Sequence, residues 1–185
     1  MKYGTSGFRT HHSKIEEIAV QIGTAMALLT CYKRQSFGIM ITASHNHHED
    51  NGVKIMDHHG NMVSEDIEKY LENFVNNMYK DHPSQSVPFR PATLVEDYYV
   101  QLLKEHQIQL VIGYDSRESS PNIAKLIEKG ILRSNLRFPV HILSHVTTPE
   151  LHYIFANQDV NYTTYLQQCS DKIHYPCVVD CANGI

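Results

Sequence analysis

The chain has 185 residues, 42% of them hydrophobic and 19% charged, and its 16 Lys and Arg stand against 20 Asp and Glu for a formal net charge of -4. This is an ordinary globular composition, long enough to bury one substantial core and part of another, and it has no surplus positive charge with which to hold a polyanion by counterion release. No nucleic-acid partner is expected, and no membrane partner either, because no run approaches the roughly 20 apolar residues that span a bilayer.

In chain order, the opening Met1-Lys2-Tyr3-Gly4-Thr5 lacks the apolar stretch of a secretion signal, so the expected location is cytoplasmic. Ser13 and Glu16 have capping-box spacing, and Ile15, Ile18, Ala19, Ile22, Met26 and Leu29 then recur at helical intervals until Lys33-Arg34-Gln35. This predicts a helix over roughly 14–33. Phe37-Gly38-Ile39-Met40-Ile41 is an apolar run too short for a helix, and it breaks abruptly into Thr42-Ala43-Ser44-His45-Asn46, as a buried strand emptying into a polar loop does.

Val53–Met56 and Asn61–Val63 flank Asp57-His58-His59-Gly60, which predicts a hairpin. Ser64 can cap the next helix, whose Ile67, Tyr70, Leu71, Phe74, Val75 and Met78 form one apolar stripe. The three prolines of Asp81–Pro91 mark a connecting loop. Val95, Tyr98, Leu102 and His106 suggest a helix, Leu110–Gly113 a strand, Ser120-Pro121 a helix start, Val140–Leu143 a strand, and Pro149 a short helix toward Phe155.

The alternation predicts an α/β sheet with helices packed on both faces. The polar stretch near Asn157–Asn161 is the expected junction, with residues 1–156 as one domain and 157–185 as the incomplete start of a second. In the latter, Tyr162–Cys169 reads as a helix and Pro176–Asp180 as a strand.

A serine on a loop just after a buried strand is held by its backbone yet open to a ligand, which suits a group that gives and takes a phosphoryl. His45 and Lys54 are near enough in sequence to add positive charge. By itself this pattern is also what any polar loop after a strand shows. The chain has 13 histidines, with pairs at His11-His12, His47-His48 and His58-His59, but none has H-E-x-x-H or Cys/His finger spacing. Cys31, Cys169, Cys177 and Cys181 contain no C-x-x-C pair and are expected to be reduced.

Thr42-Ala43-Ser44-His45-Asn46 followed by Asn51-Gly52-Val53-Lys54 resembles the phosphoserine loop of the α-D-phosphohexomutases. Tyr3–Arg9 resembles the family's amino-terminal signature, Gly113–Ser120 its strand-to-helix turn, Thr147-Thr148-Pro149 the end of its first domain, and Asp180–Gly184 the opening of its second. Glu49–Gly52, Thr147–Tyr153 and Val179–Ile185 are most similar to the branch that acts on N-acetylglucosamine phosphates. Phosphoglucomutases, phosphomannomutases and an inactive phosphosugar- or partner-binding module are the competing readings.

The resemblance implies a mixed sheet as in the family's domain I. It implies a phosphosugar mutase with a small-molecule phosphosugar substrate, a sugar bisphosphate as activator and intermediate, and Mg²⁺ as cofactor. The carried-over residues are Ser44 as the phosphorylated nucleophile and metal contact through its phosphate, His45 or Lys54 as acid or base, and Arg9 and Arg117 as phosphate-binding cations. The remaining metal ligands are expected beyond this chain, which alone is expected to be inactive. His47 departs from the pattern, because the family has proline after Ser-His-Asn, and a fixed φ is lost there.

Overall fold

The computed structural model describes residues 1–4, 7–77, 108–136 and 139–156. The expected loop at 81–91, the helix around Val95–His106, the junction at 157 and the elements beyond it lie outside the described residues. The elements are β1 (Phe8–His11), α1 (His12–Lys33), β2 (Phe37–Ile41), β3 (Asp50–Met56), α2 (Glu65–Asn77), β4 (Leu110–Tyr114), α3 (Ser120–Arg133), β5 (Val140–Ser144) and α4 (Thr148–Ala156). Among the described residues no helix is long and apolar enough to cross a membrane.

The five strands form one mixed sheet in the order β1-β3-β2-β4-β5. β3 runs antiparallel to both β1 and β2, while β2, β4 and β5 are parallel. Every residue of β2 is buried, as a central strand covered on both faces requires. Alternation along the strands sends Phe8, Ile39, Ile41, Val53, Ile55, Leu110 and Ile112 into a core with α1, α2 and α3. Met40, Met56, Val111 and Leu143 face the other way and meet Leu151 and Phe155 of α4. Helices thus lie on both faces, as expected.

Helices α1 and α3 cross so closely that a Cβ on Gly23 would fall 2.0 Å from the Ile127 carbonyl oxygen, and one on Gly130 2.0 Å from that of Val20. The Thr24 hydroxyl donates to the Gly130 carbonyl at 3.0 Å across the same contact.

Four local expectations are revised. Helix α1 is capped by His11, whose Nδ1 accepts from the Ser13 amide at 3.4 Å, while Glu16 pairs with His12; the capping box does not form. Helix α3 begins at Ser120 after Ser119, and the Ser120 hydroxyl donates to Asp115 Oδ1 at 2.7 Å, so it is no cap. The hairpin shrinks to a single bridge between Met56 and Met62. Strand β3 has begun earlier, at Asp50, and the outer edge it leaves past β1 is partly taken by Tyr3, whose hydroxyl accepts the Ile55 amide at 2.9 Å. Finally, a capping box does form at α4, where Glu150 Oε2 accepts from the Thr147 amide and hydroxyl at 2.7 and 2.8 Å.

Candidate active site

Parallel strands β2 and β4 lie side by side and end together, with Ile41 opposite Tyr114. In open α/β sheets ligands gather outside the carboxyl ends of such strands. The residues that follow, Thr42 and Asp115, therefore meet, and the threonine hydroxyl donates to Asp115 Oδ2 at 2.7 Å. The Thr42 amide donates to the Gly52 carbonyl at 3.0 Å, extending the β2–β3 ladder by one step. Gly52 itself is squeezed between strands: a Cβ there would sit 2.8 Å from the Phe8 carbonyl oxygen and 2.9 Å from that of Thr42.

Beyond Ala43 the chain makes two consecutive turns. The Asn46 amide donates to the Ala43 carbonyl at 2.7 Å, placing Ser44 and His45 at the centre of the first, and the Asp50 amide donates to the His47 carbonyl at 2.9 Å to close the second. Ala43 is buried, Ser44 half-buried and His45 exposed. Asn46 ties the turns together through a 3.0 Å bond from its amide to Asp50 Oδ2.

Two cations stand beside this loop. Arg9 on β1 lies opposite Gly52, and its Nη1 donates to Asn46 Oδ1 at 3.0 Å, while its Nε is buried without a hydrogen-bond partner among the described residues. Strand alternation puts Arg9 and Lys54 on the same face of the sheet. Burial, and then the charge of Arg9, hold the Lys54 amine below the usual lysine range, and Asp115 pulls it partly back.

Arg117 is placed differently. It is buried, and its guanidinium is spent on the loop's own carbonyls: Nη1 donates to His47 and Asp50 at 2.8 and 3.0 Å, and Nη2 to Ala43 and to Asn46, the latter at 3.0 Å. Its Nε lies 3.4 Å from Asp115 Oδ2, an ion pair without hydrogen-bond alignment. Its Nη donors thus meet the loop backbone.

The sequence reading did not single out Asp115, Asn51 or Thr42. Asp115 collects Thr42, Ser120 and the Arg117 amide. Asn51 is fully buried; its side-chain amide donates to Ser119 and Ser120 at 2.9 Å each, and its oxygen accepts from the Gly52 amide at 2.8 Å. The available signal was that Ile41 and Tyr114 are each followed at once by a small or acidic polar residue, which parallel pairing of the two runs would place in contact.

A five-stranded mixed sheet that presents a serine turn next to cations, at the ends of its parallel strands, defines the first domain of a phosphohexomutase. The chain belongs to that family: the model of "Phosphoglucomutase/phosphomannomutase, alpha/beta/alpha domain I" matches residues 14–82 and 92–167. It is 30% identical to the phosphoacetylglucosamine mutase of Sus scrofa over 205 aligned positions, covering 100% of this chain and 36% of that protein. The chain thus spans about a third of the length of such curated relatives.

Among solved structures, an N-acetylglucosamine-phosphate mutase of the α-D-phosphohexomutase superfamily in its substrate complex superposes with a TM-score of 0.64 at 33% identity, over 85% of this chain and 28% of that one. The Aspergillus fumigatus N-acetylphosphoglucosamine mutase in complex with GlcNAc-6P and magnesium gives 0.62 at 26% identity, over 88% and 29%. Among the described residues of this chain no three His, Cys, Asp or Glu side chains converge on a metal position. They do not by themselves fit a Mg²⁺ site, to which Ser44 would bring a single oxygen.

Proposed function

We propose that this chain supplies the phosphoserine-bearing part of a phosphoacetylglucosamine mutase, an enzyme that as a whole interconverts N-acetylglucosamine 6-phosphate and N-acetylglucosamine 1-phosphate. The observation that carries the reading is the half-buried Ser44 in a turn whose last residue, Asn46, accepts from Arg9, with Lys54 near enough to Arg9 to feel its charge. The relatives' names supply the sugar. The remaining ligands for Mg²⁺ are proposed to come from outside this chain.

In this reading phosphorylated Ser44 transfers its phosphoryl group to the sugar O1. The Oγ–P bond breaks as the O1–P bond forms, the O1 proton passes to a base and a proton is delivered to the departing Oγ, giving the 1,6-bisphosphate and a free Ser44 hydroxyl. After the intermediate reorients, the Ser44 hydroxyl takes the 6-phosphoryl group and a proton returns to O6. Such a transfer depends on alignment and charge neutralisation more than on covalent help. Arg9, with unused donor capacity at Nε, and Lys54 offset the charge of the phosphoserine.

His45 or Lys54 serves as the base; burial and the charge of Arg9 hold the Lys54 amine below the usual lysine range. The exposure of His45 on the turn leaves its ring open to a ligand.

The test is to incubate the complete natural protein with glucose 1,6-bisphosphate, locate phosphate by peptide mass spectrometry, and assay a Ser44→Ala variant. Phosphate on Ser44 and a rate loss of at least roughly 10²-fold are expected. Phosphate on another residue, or a near-normal Ser44→Ala rate, overturns the reading.

A further inference from the structure

Loop carbonyls that belong to no helix or sheet still need donors when they are buried. Arg117 provides them for the serine loop from a residue 67 to 74 positions away, reaching both ends of each turn: Ala43 and Asn46 of the first, His47 and Asp50 of the second. A guanidinium has four Nη protons in one plane, and here they go to three carbonyls of this loop and to that of Asp50, where the loop enters β3. Asp115 holds the arginine in turn, through its backbone amide at 3.1 Å and beside its Nε.

The consequence for Ser44 follows from peptide geometry. In a trans peptide the C=O and the following N–H point in opposite directions, and there are no cis bonds here. Turning the carbonyls of Ala43, Asn46 and His47 toward Arg117 therefore turns the amides of Ser44, His47 and His48 away from it. None of those three amides donates to a partner among the described residues.

We infer that Arg117 is a positioning residue for phosphoryl transfer at Ser44. By drawing the carbonyl ends of the loop dipoles inward, it leaves amide ends on the side where the phosphate is carried. A dianion on Ser44 then meets N–H groups instead of carbonyl oxygens. The clamp also does the work of the missing proline, since the His47 carbonyl is one of its four acceptors. This inference rests on the phosphoserine reading above for its catalytic part and on geometry alone for its structural part.

Two measurements test the parts separately. Amide hydrogen exchange on the 185-residue chain should show Asn46 and Asp50 protected relative to His45 and His48. In Arg117→Lys that protection should fall by at least about 10-fold, with the core amides of α1 unchanged, because an ammonium cannot span four planar acceptors. No protection in the unsubstituted chain overturns the clamp, whatever the fate of the variants.

In the complete natural protein, Arg117→Lys and Arg117→Met should lose kcat alike, by about 10²-fold, with KM for N-acetylglucosamine 6-phosphate little changed. A lysine variant that keeps most of kcat, or a rise in KM with kcat intact, shows a point charge acting on substrate and overturns the positioning role. A normal rate in Ser44→Ala instead removes the phosphoserine reading while the exchange result still judges the clamp.

Discussion

The α1–α3 crossing and the serine loop both bring backbone atoms from distant segments together, and they do so by opposite means. At the crossing side chains are removed: Gly23 and Gly130 let each helix rest on the other's carbonyls. At the loop a side chain is inserted, the Arg117 guanidinium. The difference lies in what the backbone already has. Helical carbonyls are satisfied within their own helix, so close approach needs only space, whereas turn carbonyls have few internal partners and need donors. One region is therefore sensitive to added volume, the other to lost hydrogen bonds.

The largest expected effect tests the first half of that contrast. Gly23→Ala puts a methyl group 2.0 Å from the Ile127 carbonyl oxygen, which the helices can relieve only by moving apart. A loss of roughly 3 kcal/mol in urea unfolding is expected. A loss under about 0.5 kcal/mol would show that the crossing is loose and the contrast unsound.

Thr42→Val tests the second half at nearly constant volume. It removes the 2.7 Å bond to Asp115 and leaves a partly buried carboxylate oxygen with one donor fewer, for an expected cost of about 1 kcal/mol. The same substitution at a site governed by volume would cost little, so a neutral result would break the comparison from the other side.

The smallest effect has the opposite sign. Lys54 is held below the ordinary lysine range by burial and by Arg9, so at pH values between its folded and unfolded pKa the unfolded chain binds more protons. Stability contributed by this group therefore rises with pH across that window, and the penalty is complete below it. Lys54→Met removes the penalty: Tm should increase modestly at neutral pH, and the gain should fade above about pH 10, where the unfolded lysine also loses its proton. An unchanged or lower Tm at pH 7 would mean that the amine is better solvated than its surroundings imply.

Much of the frame could be read from pattern. The bounds of β2 coincide with the apolar run Phe37–Ile41, because five consecutive apolar residues between polar neighbours have few alternatives to a covered strand. The stripes of α1 and α2 are likewise local. The structure has no full hairpin here because Val53, Ile55 and Met56 are apolar for a nonlocal reason: their segment is an inner strand between β1 and β2. The cap at Ser13 was misjudged because His11, the last residue of β1, takes the capping position once the strand delivers it there.

Local sequence was enough to put Ser44 on a loop just after β2, since its neighbours alone create the break from buried strand to open turn. It could not separate the two arginines. Arg9 and Arg117 both precede polar residues near glycines or serines, and both carry the same charge. Arg9 ends with a buried Nε left over, and Arg117 ends with its Nη protons committed to the loop. That outcome depends on which carbonyls a guanidinium meets some seventy residues away, and such meetings are decided when β2 and β4 pair in parallel and end at the same level.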